Sequence, residues 1–321
     1  MVLDYFNILL ESDYSSLSNE DRFLILLRFY LATISLIPSD IYKPCTPFLG
    51  ETFACFVSTK QGRVSYIAEQ VSLHPHITCF YVEDENHTFS VQCTLIPRGM
   101  FGGSSVRYTF DGSLTITHIP SQQTCTFTHP TLVSTNLDHG TPETQIAGSV
   151  SVSCSFDSLS ALILFYLQPL TGGDHRVLRV HIKQDNTILY RIRGRWDLGY
   201  ELIREETKEF SVWLEINSLQ PLQRFVCPLD KQGALESVKV WITLRQEMIG
   251  GNDVEKAEKM WRDIETKKNE MCRRIEKRKD FDPNKRLLFE KKGEVYEFTH
   301  KGENFIELSM HLKHEELECS V

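Results

Sequence analysis

Two histidines flank a proline in the segment His74-Pro75-His76. If this segment is a β-strand, alternate residues share a face, and the two imidazoles could bind one metal ion. A metal site needs a third and a fourth ligand, however, and the nearest cysteine, Cys79, lies at a position of opposite parity. We therefore predict that His74 packs internally or contacts a ligand, and that the protein has no metal site and no cofactor.

A serine two residues before His74 raises the possibility of hydrolysis. Ser72 and His74 supply a hydroxyl and an imidazole. The sequence has no Gly-x-Ser-x-Gly elbow and no identifiable acid partner for such a pair. It also has no Walker loop and no dinucleotide-binding fingerprint. We predict that the protein is not an enzyme.

The composition is that of an acidic globular protein. The chain has 35 lysine and arginine residues and 43 aspartate and glutamate residues, which gives a formal net charge of −8. This balance argues against a nucleic-acid partner and against permanent electrostatic attachment to anionic membranes. Nine cysteines without a Cys-x-x-Cys pair indicate reduced thiols. We expect a cytoplasmic monomer that associates with membranes peripherally and transiently.

The N-terminal part, to about residue 40, is predicted to be helical. Ser18 and Asp21 form a candidate capping box ahead of an apolar run over residues 23–37. At about 1.5 Å per residue this run would cover roughly 22 Å, which is less than the ~30 Å hydrocarbon core of a bilayer. We expect a buried helix there and not a membrane span.

A period of two dominates residues 52–245, within a predicted barrel over about 41–245. Val106, Tyr108 and Phe110 alternate with polar neighbours, and Asp111-Gly112 supplies a hairpin turn. Many short strands with close turns indicate a large antiparallel sheet that is curled or closed. The unbroken apolar run over residues 161–167 is compatible with a strand or with a short buried helix.

The C-terminal region, from about 250 to 321, is predicted to be largely helical and highly charged. Its apolar residues fall on one helical stripe, interrupted by Lys268: Val254, Ala257, Trp261, Ile264, Met271 and Ile275. We expect a long surface helix that docks by this stripe. A final segment, with residues 295–298 and 305–308, is expected either to return to the sheet or to pack beside it. Because no repeat or low-complexity linker interrupts the chain, we predict that residues 1–321 form one domain.

Two segments resemble signature segments of the oxysterol-binding protein family. Residues 66–76 resemble the family's Glu-Gln-Val-Ser-His-His-Pro-Pro fingerprint through Glu69, Gln70, Val71, Ser72 and Pro75. Residues 43–51 resemble its Lys-Pro-Phe-Asn-Pro-x-Leu-Gly-Glu segment. Weaker similarities follow in the same order at residues 101–105, 194–196, 241–257 and 289–290. The chain is identified as a short, single-domain, divergent member of this family.

The resemblance implies both a fold and a function. The implied fold class is α+β and mainly antiparallel β, an incomplete β-barrel around an apolar lipid tunnel, with N-terminal helices and a C-terminal helical segment. Family members bind one sterol or phospholipid in the tunnel and transfer it between membranes, and many exchange it for phosphatidylinositol 4-phosphate. The alternative is a degenerate, non-transferring barrel that acts as a lipid sensor or as a protein-interaction scaffold.

The resemblance also assigns a headgroup site at the tunnel mouth. Lys43 and His74 match two of the family's headgroup residues, and Glu265 matches the glutamate of its C-terminal helix. Thr46, Leu73, Trp261 and Asn269 replace an asparagine, a histidine, a lysine and an arginine of the family pattern. Arg262 and Lys268 lie three residues on either side of Glu265 and could compensate. The candidate site is Lys43, Thr46, Leu73, His74, Trp261, Arg262, Glu265, Lys268 and Asn269.

The substitutions bear on the identity of the lipid. Removing a phosphomonoester from water is costly unless cations and hydrogen-bond donors match its charge. Leu73 and Trp261 place apolar side chains where the family has polar ones. We therefore expect the site to prefer a lipid that is less charged than phosphatidylinositol 4-phosphate.

Overall fold

The chain forms two compact units, each assembled from several segments. A computed structural model describes residues 2–37, 46–138, 141–167, 175–250, 253–277, 287–293, 295–305 and 307–308. Unit 1 contains the described residues of Met1–Pro44, Val57–Val64 and Val82–Arg224, and unit 2 contains those of Cys45–Phe56, Ser65–Tyr81 and Phe225–Val321. The expectation of a single domain stays a prediction.

One mostly antiparallel sheet contains fifteen of the strands in the described part of the chain. In chain order these are β1 Thr52–Thr59, β2 Gly62–Leu73, β3 His76–Asp84, β4 Phe89–Phe101, β5 Val106–Asp111, β6 Leu114–His118, β7 Gln123–Phe127, β8 Thr131–Thr135, β9 Glu143–Cys154, β10 Leu159–Tyr166, β11 Val177–Gln184, β12 Thr187–Arg195, β13 Gly199–Arg204, β14 Phe210–Glu215 and β15 Arg224–Val226. Their order in the sheet is β14-β13-β12-β11-β10-β9-β7-β6-β4-β3-β2-β1-β15, while β5 pairs with β4 and β8, and β8 also pairs with β9. The sheet is therefore open, with β14 and β15 at the two ends of the order. The expected mainly antiparallel, incompletely closed sheet is confirmed.

Strand β10 resolves the ambiguous apolar run at 161–167. It is hydrogen-bonded to β9 on one side and to β11 on the other. Leu159, Ala161, Ile163 and Phe165 are buried, whereas the residues between them are more exposed. This alternation, with an inward side chain at every second position, is what a paired strand produces and a helix does not.

Four α-helices lie among the described residues: α1 Asn7–Leu10, α2 Asn19–Ile34, α3 Ser237–Gly250 and α4 Val254–Glu276. Helix α2 covers part of the sheet in unit 1. The Ser18 side chain caps its N-terminus by accepting a hydrogen bond from the Asp21 amide, as predicted. Tyr30 of α2 stacks on Phe127 at 4.4 Å between ring centroids. Among the described helices, none combines the length and the apolar character needed to cross a membrane.

Unit 2 has a separate core between its two long helices. Phe48, Leu235, Trp241, Leu244 and Met271 form a buried cluster. The apolar stripe of α4 packs against this cluster through Ala257, Met260, Trp261, Ile264 and Ile275. The docked, amphipathic helix that the sequence predicted is confirmed, although Val254 at its start is exposed.

The boundaries of the β region and of the helical region differ from those expected. The strands of the large sheet end at Val226 and not near residue 245. Residues 237–250 instead form helix α3, whose Trp241 and Leu244 are buried. The C-terminal region also contains a two-stranded antiparallel sheet, β16 Phe289–Lys292 and β17 Val295–Phe298. The ring of Phe298 in β17 stacks on the ring of Tyr81 in β3, with 4.5 Å between the ring centroids. Residues 295–298 thus form a strand outside the large sheet, in agreement with a final segment that packs beside it, whereas the end of the large sheet is set by the packing of α3.

Gly194 in β12 is required by a close approach of two strands. A Cβ atom at this position would lie 2.1 Å from the carbonyl oxygen of Gly199, at the start of β13. We predict that Gly194→Ala lowers the free energy of unfolding by about 1–3 kcal/mol, since the backbone must shift to relieve the overlap. Gly99→Ala is the matched strand control, because the nearest atom to its Cβ belongs to Tyr108 at an ordinary 3.5 Å. Equal denaturation midpoints for the two variants would contradict the prediction.

Candidate functional site

The fingerprint glutamate is a buried structural acceptor. Glu69 lies in β2 with 1% of its surface exposed. Its two carboxylate oxygens accept hydrogen bonds from the backbone amides of Leu287 and Leu288, at 3.1 and 2.9 Å. A buried carboxylate needs such donors, and these bonds attach the segment before β16 to β2.

The fingerprint glutamine holds two neighbouring segments against β2. The Gln70 side chain donates to the Ser72 carbonyl oxygen at 2.7 Å and accepts from the Thr78 hydroxyl at 2.6 Å. Its backbone accepts from the Gly50 amide and donates to the Glu51 carbonyl oxygen, both at 2.9 Å. Gly50 has a positive φ of 76°, which a glycine adopts without strain. Gln70 thus fixes both the turn at residues 48–51 and strand β3.

Two further carboxylates are buried beside this turn. Glu51 accepts hydrogen bonds from the Phe48 amide and from the Trp241 indole, each at 2.8 Å. Burial raises the pKa of Glu51, and the positive charge of Lys268 partly opposes that rise. Glu236 accepts from the Ala54 amide and the Thr52 hydroxyl, and burial raises its pKa to about 7.

The two histidines lie where β2 turns into β3. His74 and His76 are exposed, and their ring centroids are 6.3 Å apart. Desolvation lowers the pKa of His76, and the charges of Lys268 and His74 lower it further, whereas Glu265 opposes them. His76 is therefore mostly neutral at pH 7 and close in space to the middle of helix α4.

Lys268 is the buried cation of this site. Its residue surface is 5% exposed, and its ammonium group lies 2.5 Å from a carboxylate oxygen of Glu265. It also donates to the Thr46 carbonyl oxygen at 3.4 Å. A buried ammonium requires such partners, so Lys268 ties α4 to the segment that precedes the turn at residues 48–51.

Other predicted headgroup residues do not converge on this point. Arg262 is exposed and pairs with Glu258 one turn earlier at 2.7 Å. Asn269 is exposed, and Trp261 is half-buried against the core of unit 2. Leu73 is buried with Leu49 in a small cluster. Lys43 lies outside the described residues.

The remaining fingerprint residues are Val71, Ser72 and Pro75, and none of them is charged. Val71 is fully buried, Ser72 is half-buried and Pro75 is exposed. No group of three or more histidine, cysteine or acidic side chains suited to a metal ion occurs among the residues for which the structure gives coordinates. Within unit 2, the side chains near one another are His74, His76, Glu265 and Lys268, with Glu51 in electrostatic reach.

The sequence reasoning missed His76 as a member of this group. The family pattern was matched through His74 alone, and His76 was considered only as a metal ligand, although it begins β3 directly after the turn that contains His74. It also missed the buried pair Glu51 and Glu236. No local pattern marks Glu236 as buried, because its burial depends on β1, which is 182 residues away from it at Ala54.

Comparison with known proteins places this arrangement in a family. The sequence profile described as "Oxysterol-binding protein" matches residues 2–307. The chain belongs to the oxysterol-binding protein family. It is 31% identical over 228 residues to human oxysterol-binding protein-related protein 5, an alignment that covers 68% of this chain and 26% of that protein. It is 26% identical over 243 residues to oxysterol-binding protein 4 of Dictyostelium discoideum, covering 72% of this chain and 52% of that protein.

Solved structures of the oxysterol-binding protein family share the fold. The Osh1 ORD domain in complex with cholesterol superposes with a TM-score of 0.71 at 17% identity, covering 94% of this chain and 78% of that one. The Osh3 ORD of Saccharomyces cerevisiae in complex with PI(4)P superposes with a TM-score of 0.65 at 18% identity, covering 92% and 80%. The chain spans about a quarter of the length of the human relative and about half that of the Dictyostelium relative.

The fingerprint glutamate offers a direct test of its structural role. We predict that Glu69→Gln lowers the free energy of unfolding by about 1.5–3 kcal/mol, because an amide cannot accept from both backbone donors as a carboxylate does. Glu290→Gln in β16 removes the same charge at an exposed position and should change stability by less than about 0.5 kcal/mol. Chemical denaturation of the three proteins measures both effects. An unperturbed Glu69→Gln protein would show that the two hydrogen bonds contribute nothing.

Proposed function

We propose that the protein binds one lipid molecule, a sterol or a phospholipid, in an apolar tunnel and transfers it between membranes. The observation that carries this proposal is the shared fold over more than nine-tenths of the chain with ORD domains solved with cholesterol, ergosterol and PI(4)P. Membership of the oxysterol-binding protein family, over residues 2–307, supports it. The alternation of buried and exposed residues along β9 to β12 supplies the apolar face that a lipid would need.

The energetics of such a carrier are adequate. Burying ~400 Å² of lipid surface at ~25 cal/mol per Å² contributes on the order of 10 kcal/mol as an upper estimate. A lipid in a bilayer is also buried, so only a protein interior of comparable apolar area can compete for it. The carrier therefore needs a dry interior more than it needs a strong headgroup contact.

Extraction of lipid from vesicles tests the proposal. We predict that the protein, incubated with vesicles that contain a sterol and several phospholipid classes and then re-isolated, retains lipid at one molecule per chain. Native mass spectrometry gives the stoichiometry, and lipid mass spectrometry gives the class. A protein that retains no lipid from any class would refute the carrier function.

The charges of the candidate site favour a weakly charged headgroup. Lys268 is already paired with Glu265, and His76 is mostly neutral at pH 7. The carboxylate of Glu51 lies nearby and adds negative charge in the fraction of molecules where it is ionised. Among the described residues of this site there is thus little uncompensated positive charge for a phosphomonoester. We propose that phosphatidylinositol 4-phosphate displaces the preferred lipid poorly at pH 7.4.

Acidification should strengthen the binding of an anionic lipid. His76 has a lowered pKa, so it gains its proton only as the pH falls below its ordinary value near 6.5. We predict that affinity for phosphatidylinositol rises about tenfold between pH 7.5 and pH 5.5, as one charged hydrogen bond would produce. His76→Asn should reduce this rise to threefold or less, and sterol uptake should stay constant over the same range. An equal rise in the variant would exclude His76 from the headgroup site.

A second function is favoured by the same charges. Arg262 faces solvent, Asn269 is exposed and Lys268 is neutralised, so a barrel that retains the fold without exchanging lipid is the competing proposal. A sensor or scaffold of this kind would bind lipid without delivering it. Transfer of a fluorescent lipid between donor and acceptor vesicles distinguishes the two, because a carrier accelerates transfer with each added protein molecule.

The remaining properties follow from the carrier function. We propose that the protein has no catalytic activity and needs no cofactor. We propose that it acts in the cytoplasm as a monomer and associates with membranes peripherally and transiently. Neither a nucleic acid nor a permanent membrane anchor has a part in this function.

A further inference from the structure

The tip of the β4–β5 hairpin exposes two large apolar side chains in unit 1. Met100 is 63% exposed and Phe101 is 76% exposed, which is the largest exposed fraction of any described aromatic residue. Both lie at the end of β4, just before a turn that contains Gly102 and Gly103. A Cβ atom at Gly103 would have no other atom within 4 Å, so this side of the turn is open, while the Ser104 carbonyl oxygen accepts a hydrogen bond from the Leu137 amide at 3.1 Å. Adjacent large apolar side chains that are this exposed are a feature of surfaces that bind a partner or a membrane.

The two faces of the hairpin differ in chemistry. Strand register pairs Phe101 with Val106 and Gly99 with Tyr108, which places an aromatic and aliphatic set on one face. The same register pairs Met100 with Arg107, and Arg98 follows on that face two residues earlier. The tip therefore combines an apolar end with arginines set back from it by one or two residues.

Arg107 gives the tip a positive charge. Arg107 is exposed and forms no ion pair with any residue in the described part of the chain. Arg98 pairs with Asp111 at 2.6 Å, although 71% of its side chain remains exposed. Arg107 lies beside Met100 in the strand register. An arginine next to an apolar tip can contact lipid phosphates while the apolar side chains reach the acyl boundary.

We propose that this hairpin tip inserts into the headgroup region of an anionic bilayer. Met100 and Phe101 reach the acyl boundary, and Arg107 contacts lipid phosphates or carboxylates. The proposal rests on the proposed lipid-transfer function, because it names the surface by which the carrier would meet its membranes. It assigns the transient membrane contact to a defined structural element.

Charge decides between this tip and other exposed apolar residues. Ile249 at the end of α3 and Val254 at the start of α4 are 82% and 74% exposed, but Asp253 and Glu255 adjoin Val254, and the nearby Lys256 is already paired with Glu247. An anionic surface would repel the carboxylates beside Val254. Phe210 in β14 is 70% exposed and follows Glu209 directly. Nearby, Arg204 lies over the Tyr190 ring and Lys208 pairs with Glu205. Phe210 therefore provides a matched exposed aromatic whose neighbouring cations already have partners.

The size of the tip favours a bilayer over a protein partner. A stable protein interface buries about 800 Å² on each side and requires complementary shape. Two side chains at a narrow turn supply only part of that area. A bilayer needs no matching surface and is bound through buried apolar area and charge alone.

Vesicle flotation tests the proposal with the full chain. Two kinds of vesicle are compared. One contains phosphatidylcholine with about 30% phosphatidylserine, which gives a strongly anionic surface, and the other contains phosphatidylcholine alone. We expect the double variant M100D/F101D to bind the anionic vesicles at least about tenfold more weakly than the unmodified protein. Arg107→Gln should weaken binding about fivefold to anionic vesicles and leave binding to neutral vesicles unchanged. Phe210→Asp should bind as the unmodified protein does.

Three outcomes of the flotation and sedimentation measurements would overturn the proposal. The first is equal flotation of M100D/F101D and the unmodified protein. The second is an equal loss of flotation in Phe210→Asp. The third is a change in sedimentation of M100D/F101D, without a change in flotation, which would identify a second copy as the occupant. Phe101→Trp adds a direct reading, since quenching of its added fluorescence by brominated lipid is expected and its absence would also overturn the proposal.

Uptake without a membrane separates this proposal from the lipid-binding function. Sterol delivered from cyclodextrin reaches the protein without any vesicle. M100D/F101D should take up this sterol as the unmodified protein does, while its transfer of sterol between anionic vesicles falls about tenfold. If the unmodified protein takes up no sterol from cyclodextrin, the proposed carrier function is refuted. The flotation experiment would then still test the membrane contact of the hairpin by itself.

Discussion

The need to satisfy the buried polar groups of β2 organises unit 2. Glu69 and Gln70 are both at most 2% exposed. An unpaired carboxylate or amide at such a buried position would lower the free energy of unfolding, because the group loses its hydrogen bonds to water without gaining others. Glu69 finds its donors in the amides of Leu287 and Leu288, and Gln70 finds its partners in β3 and in the turn at residues 48–51. Three segments distant in sequence are fixed by this one requirement. The fingerprint residues Glu69 and Gln70 therefore make internal contacts that stabilise unit 2.

The same requirement sets the electrostatics of the candidate site. The turn held by Gln70 carries Glu51, whose carboxylate is buried and bonded to the Trp241 indole. Lys268 is buried near it and pairs with Glu265. Each buried charge is compensated by a neighbour, as low-dielectric surroundings require. The described residues of the candidate site therefore carry little net positive charge, and the proposed preference for a weakly charged lipid rests on this balance.

Unit 1 follows a simpler rule. Its strands bury every second side chain, and helix α2 covers part of the buried face, with Tyr30 stacked on Phe127. The hairpin of β4 and β5 departs from this rule at its end, where Met100 and Phe101 are exposed and cannot contribute to the core. Phe210 and Val212 of β14 are exposed as well, and it is the position of Arg107 beside Met100 that supports the proposed contact of the hairpin with an anionic surface.

The sequence by itself determined the family, the mainly antiparallel sheet, the capped N-terminal helix and the docked helix α4. These depend on local signals: the fingerprint residues, the period of two, the Ser18–Asp21 cap and the apolar stripe from Ala257 to Ile275. The apolar stripe that surrounds Lys268 in the sequence already placed Lys268 on the docking face of α4 and Arg262 off it. Only the tertiary structure decided that Lys268 pairs with Glu265 and that His76 lies near both. These contacts depend on the packing of α4 against Phe48, Trp241 and Leu244 and on the place of the β2–β3 turn, which no local pattern contains.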